Sequence, residues 1–572
     1  MSTIDVYLEL REDGQCIAHL LALPGCFVVG RDQAAAMAKL PDAVKAYAAW
    51  SAQHGEQNKF VSEPLDFAVA ETVGSTGALH PDDQAALFAP EKAPLSQSEL
   101  ERFLRLAAYN RADLLAAIRG LSGTMRHWRP GPNRMSIEQI LRHIARADRW
   151  YVSRLWAEAE VPADWFAPDD EIPTMRFLTG MRETAVSHLR RLSTTQRNRV
   201  FTPAFRTENP TEQWSARKVM RRFLEHEREH IEHIYDNLAQ WRQQLHARIA
   251  AERAYFFMQL RSLSEDVLST HPVSDGWTAK ELLPHVAMWD AFHTGRLDLV
   301  KNGNLEDIEI INPQIMHERN EQALARFRQM PLMQAFAACL KERSGYLAML
   351  ARLTDHELQQ VRRLPSGERT TAAVWANRRW RHDAAHADEL VEWRATLPRE
   401  LLFGTGPKFI LRAILHTARK SFLTLIPLIP KDERGRLPVC GVWTMKDLIG
   451  HLTDWEKVGV DGLQQLAVGK TPEFTEAITD FDAWNYRHAA ARADQSWDDV
   501  WADFTGTRQT LLSLLEQVTD EDLKRPFIAP WGPQIHGYYL TVVWPVHEME
   551  HAVDVRHALQ LPGLPRRLRA HK

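Results

Sequence analysis

Residues 135–151 read MSIEQILRHIARADRWY, residues 277–292 read WTAKELLPHVAMWDAF, and residues 443–458 read WTMKDLIGHLTDWEKV. These are three versions of one unit. Each opens with a hydroxyl residue, Ser136, Thr278 or Thr444, followed three positions on by Gln139, Glu281 or Asp447. A hydroxyl cap whose partner three residues later reaches back to the cap N–H marks a helix start, and Asp447 is a shorter variant of that partner. A histidine then falls seven residues after each cap: His143, His285 and His451. Ile140 and Ala147, Leu282 and Trp289, and Leu448 and Trp455 lie three before and four after it. Each histidine therefore sits within the apolar stripe and points inward. An acid follows five residues beyond, at Asp148, Asp290 and Glu456. That spacing is about 140° round the helix from the histidine, so a contact on another face is expected.

The same units close on HEREHIEHI (226–234), HDAAHADEL (382–390) and HEMEHAVDV (547–555). Each contains H-[ED]-x-x-H: His226/His230, His382/His386 and His547/His551. On a helix, positions i and i+4 differ by about 40° and about 6 Å of rise. Two imidazoles so placed grip one ion, and a third from a neighbouring helix completes a facial site with open positions for water or substrate. Zinc, nickel and iron all suit imidazole. A chain with 25 histidines in 572 residues yields about one HxxxH pair by chance, whereas these three occur at matching places. His233, His293, His317, His356, His416 and His488 have no repeated counterpart and read as ordinary. HEREH and HEMEH also satisfy the zinc-protease motif, in which the Glu is a general base. Asp383 in the middle unit, the missing Gly/His continuation and the all-helical unit speak against that reading.

A helix precedes each inward histidine, at about 97–121, 246–264 and 404–427, and another helical stretch ends near Leu192, Leu353 and Val518. Each unit is thus four helices long. Ahead of them, residues 4–10 and 15–22 are β-like runs separated by Asp13-Gly14, a hairpin signal. A Leu23-Pro24-Gly25-Cys26 turn, a short run at Phe27–Gly30, a helix over Asp32–Ser51 and a strand at Phe67–Thr72 follow. Residues 89–98 (APEKAPLSQS) read as a linker. The expected fold is mainly α: a small α+β domain over 1–90, then four-helix bundles over 97–243, 244–398 and 404–562. Trp289, Trp455, Trp380 and Trp544 stand near the histidines, as core or as an aromatic wall for a planar ligand.

Composition narrows the function. Lys+Arg is 70 against Asp+Glu 74, a net charge of −4, so no nucleic-acid partner is expected. The amino terminus has no apolar signal region. The longest apolar stretch, near Phe422–Pro430, is too short for a span and holds two prolines. Four cysteines (Cys16, Cys26, Cys339 and Cys440) form no disulfide framework, and a cytoplasmic protein is expected. The basic end, residues 565–572, reads as a solvated terminus.

The cap, the histidine seven residues later and the closing H-[ED]-x-x-H resemble the DinB-like superfamily of metal-binding four-helix bundles, three times over. The resemblance implies metal triads at His143/His226/His230, His285/His382/His386 and His451/His547/His551, with zinc or nickel as the ion. Several members of that superfamily are thiol S-transferases or isomerases using glutathione, mycothiol or bacillithiol. The resemblance therefore implies a metal-dependent transferase or hydrolase acting on an electrophilic small molecule, with a low-molecular-weight thiol as cosubstrate. Trp-Thr-x-Lys-[Glu/Asp]-Leu in the second and third units also resembles a branch that protects cells from alkylating metabolites. This keeps open a non-catalytic alternative, a stress-protection protein that sequesters a reactive metabolite. The amino-terminal hairpin, LPGC turn and helix resemble the HicB-like antitoxin fold and imply an interaction module for a protein partner. Pro284 and Pro545 lie beside the histidines and predict local distortion of the second and third sites.

Overall fold

The computed structural model describes residues 2–56, 65–75, 85–274 and 276–561. The basic end at 565–572 lies outside them. The chain divides into two compact units, Met1–Leu238 and Ala239–Lys572. The fold is mainly helical, with a four-stranded sheet at the amino terminus, as the sequence predicts, and four short two-stranded ribbons among the later helices.

In the first unit, strands β1 (Ser2–Arg11), β2 (Cys16–His19), β3 (Phe27–Gly30) and β4 (Leu65–Ser75) form a sheet in the order β3-β2-β1-β4. β1 pairs antiparallel with β2 and parallel with β4, and helix α1 (Gln33–Gln53) lies between β3 and β4 in the chain. Gly14 takes φ of 88° in the β1–β2 turn and Gly25 87° in the Leu23–Cys26 turn, conformations that glycine adopts at little steric cost. Cys16 and Cys26 are buried and form no disulfide.

Helices Gln97–Ile118, Ile137–Ser153 and Thr174–Arg190 follow, joined by the amino-terminal part of Ala216–Met258. The linker expected at 89–98 is instead packed. Phe88 and Leu95 are buried, and buried Glu91 accepts from Arg221 Nε at 2.7 Å. Hydrophobic spacing at Phe88 and Leu95 is too sparse to register as periodicity, so the proline-rich composition misleads. The sheet domain also docks here: Trp50 Nε1 donates to Asp113 Oδ2 at 2.7 Å, and His19 Nδ1 donates to Glu225 Oε1 at 2.7 Å.

Helix Ala216–Met258 is 43 residues long and continuous across position 243, where a boundary is expected. Residues 238–258 contain neither Gly nor Pro, so nothing stops the helix there. In the second unit, the remainder of that helix joins Ala279–Asn302, Leu332–Arg352 and Ala372–Thr396. Lys408–Leu423, Met445–Ala467, Trp497–Gln517 and Gly537–Ala558 complete it. Phe256, Leu282, Phe336 and Leu390 of the former set share one apolar cluster with Ile410, Ile414 and Met549 of the latter. The two sets are therefore fused through side chains rather than strung on a linker. Among the described residues no helix is long and apolar enough to cross a membrane.

Candidate metal centres

The predicted caps form as expected. Ser136, Thr278 and Thr444 each accept from the backbone N–H three residues on, and Gln139, Glu281 and Asp447 return the bond. This fixes where each helix starts.

The nine histidines converge as three triads, each through Nε2. His226 Nε2 stands 2.9 Å from His143 Nε2 and 3.0 Å from His230 Nε2. His382 Nε2 stands 3.0 Å from His285 Nε2 and 3.2 Å from His386 Nε2. His547 Nε2 stands 3.1 Å from His451 Nε2 and 3.0 Å from His551 Nε2. Nitrogens bound at about 2.1 Å to a common ion stand about 3.0 Å apart at right angles and about 3.4 Å apart at the tetrahedral angle. The spacings fit ligands of one ion. Pro284 and Pro545 lie inside unbroken helices. The distortion they predict is absent from the triads, whose spacings match those of the proline-free first site.

Burial, then the neighbouring histidines, pushes His226, His230 and His547 well below the ordinary imidazole value, and His451 down to about 3. Neutral rings keep a lone pair for an ion. Which nitrogen carries it depends on the partner of the other. His551 Nδ1 donates to Asp554 Oδ2 and His386 Nδ1 to Glu389 Oε2, both at 2.9 Å. A carboxylate only accepts, so Nδ1 of each of these rings carries a proton, and the neutral form of the ring turns its Nε2 lone pair to the centre. In the first site His233 takes that place, with Nδ1 3.2 Å from His230 Nδ1. His233 thus corrects its reading as an ordinary residue: it stands three residues past the last ligand, where the other repeats carry an acid.

The middle triad differs in one contact. Arg379, 2% exposed, donates from Nη2 to His382 Nδ1 at 3.1 Å and from Nε to Asp290 Oδ1 at 2.9 Å. The first and third repeats carry Phe223 and Trp544 at this position. His285 Nδ1 is buried with no hydrogen-bond partner among the described residues.

Under each triad lies a buried charge quartet that sequence reading missed. Arg111 and Arg182 clamp Asp148 and Glu227 at 2.7–3.1 Å. Arg253 and Arg343 clamp Asp290 and Asp383 at 2.8–3.0 Å. Arg419 and Arg508 both bind Glu456 and Glu548. Each of the four helices gives one member. Asp148, Asp290 and Glu456 thus make the contact on another face that their spacing predicts. Glu227 and Glu548, the acids of the H-E-x-x-H pattern, are each held by two guanidinium groups beneath the site. A carboxylate so held is no free general base, which removes the protease reading on geometry. The signal was available: Arg111, Arg253 and Arg419 each stand 32 residues before the inward histidine.

Aromatic rings flank the second and third triads. Trp277 lies 5.1 Å from His285 and Trp443 4.5 Å from His451, centroid to centroid. Trp289 and Trp455 are buried and donate to Asn320 at 3.1 Å and Asn485 at 2.9 Å. Trp380 donates to Asn377 within its own helix. Trp544 is buried in the core of its own set.

No curated protein and no solved structure matches the chain. Residues 107–234 and 414–553, which carry the first and third triads, match the DinB superfamily, a metal-binding superfamily.

Proposed function

We propose that His143/His226/His230 and His451/His547/His551 each hold one divalent ion, zinc or nickel, and that the protein acts there on an electrophilic small molecule. The observation that carries this reading is the convergence of three imidazole Nε2 atoms at ligand spacing, with Asp554 or His233 behind one ring of each triad. Three protein ligands leave positions open, the pattern of an ion that works on a substrate rather than one that only braces a fold. Bound there, a divalent ion supplies Lewis acidity that lowers the pKa of a thiol or water. The chain's own groups do the rest. The quartets pin the four helices and so fix the ligand positions, the depressed histidines keep their lone pairs, and Trp443 walls one side of the third centre. Thiol S-transfer or hydrolysis of the electrophile is the reaction class.

On this reading the chain has four parts, a sheet domain over 1–90 and bundles over 97–243, 244–398 and 404–562. The sheet domain is an interaction module, in keeping with its docking on the first bundle. The test is full-length protein, zinc-loaded, with a chromogenic aryl halide in the presence and absence of glutathione. Thiol-dependent product release that His451→Ala or His547→Ala abolishes supports transfer. Release without thiol supports hydrolysis. Stoichiometric capture of the halide without turnover supports the non-catalytic, sequestering alternative and sinks the enzymatic one.

A further inference from the structure

The middle triad shares its spacing with the other two but not its hydrogen-bond wiring. A guanidinium group is always a donor and never an acceptor. Arg379 Nη2 aims at His382 Nδ1, so that nitrogen carries the lone pair and the ring's proton sits on Nε2. This Nε2 is the atom that faces His285 and His386, at 3.0 and 3.2 Å. His386 donates from Nδ1 to Glu389, so its own Nε2 is free to accept that proton. The three rings therefore satisfy one another with a proton at the centre. Turning the His382 lone pair inward would set Nδ1–H against an Arg379 N–H, donor against donor, in a buried place.

Charge points the same way. In the first and third quartets two arginines balance two acids, and Arg222, a further cation near the first triad, is itself paired with Glu225 at 3.3 Å. In the middle repeat Arg253, Arg343 and Arg379 share Asp290 and Asp383. The surplus cation is the one touching His382, and a second cation at the centre of the triad would meet it in a medium of low dielectric. His285, the remaining ring, has no partner on Nδ1 to orient it.

From this wiring we infer that the middle triad is a metal-free, hydrogen-bonded histidine cluster, and that of the three triads only the first and third bind divalent ions. The contrast rests on the metal reading of those two sites. The experiment is zinc titration of the metal-stripped full chain, read by calorimetry and by elemental analysis after desalting. About two equivalents are expected, with any third at least roughly 100-fold weaker. His226→Ala and His547→Ala each remove one equivalent, and His382→Ala removes none. Arg379→Phe, which installs the residue of the first repeat, raises the count to three. Three tight equivalents in the unaltered chain, or loss of one on His382→Ala, overturns the contrast alone. A chain that takes up no zinc overturns the metal reading of the first and third triads and the contrast with it.

Discussion

The third and middle repeats have the same four helices, the same cap, the same quartet of charges and the same three histidines at the same spacing. They differ where one carries Trp544 and the other Arg379. The tryptophan packs into an apolar core, whereas the arginine donates to the ring it touches and decides which nitrogen keeps the proton. A metal motif is thus only half specified by its ligands. The other half is what stands behind each imidazole: the Asp554 carboxylate to accept a proton, the His233 ring, which can do either, or Arg379 to give one.

The comparison can be strained first at the charge quartets, which both repeats share. Glu456→Gln or Asp290→Asn leaves buried guanidinium groups partly uncompensated, and breaking a buried ion pair costs about 3–5 kcal/mol. Asp290→Asn is expected to cost more, because Asp290 receives three arginines and Glu456 two. Denaturant midpoints of the full-length variants check this. Equal losses would show that the third arginine does not lean on Asp290.

A smaller effect separates the repeats. Asp554→Ala is expected to weaken zinc binding about 10–100-fold, the usual effect of removing a group that orients a ligand. His233→Ala should do the same at the first site. Glu389→Ala, at the corresponding place in the middle repeat, should leave zinc binding unchanged. A zinc affinity that falls with Glu389→Ala would mean that the middle triad holds an ion after all.

The smallest effect should not discriminate. Thr444→Ala and Thr278→Ala each remove a helix cap worth about 1 kcal/mol. Both should lower the thermal midpoint alike while zinc binding stays as it was, since the caps position the helix starts and touch no triad.

Much of this was legible in sequence because it is periodic. The cap and the inward histidine seven residues later place one ligand per repeat, and the i, i+4 pair places two more. The amino-terminal sheet is legible from Asp13-Gly14 and the alternating strands. The quartets were not, because their members lie on four helices and a charged residue on a helix ordinarily reads as a solvated face. The recurrence of Arg111, Arg253 and Arg419 before the histidine, and of Asp148, Asp290 and Glu456 after it, marks half of each quartet. The wiring of the middle site lies deeper still. Arg379 is one letter in a helix rich in arginine, and nothing in the spacing says that its guanidinium reaches back to His382. The unbroken helix at 243 was missed for a different reason: a repeat boundary need not be a structural one when no Gly or Pro ends the helix.

The most direct measurement is a crystal of the zinc-soaked full chain with data collected at the zinc absorption edge. Anomalous peaks are expected about 2.1 Å from the Nε2 atoms of His143, His226 and His230 and of His451, His547 and His551. None is expected among His285, His382 and His386. Absence of a peak at both of the first two places would contradict the metal-centred reading.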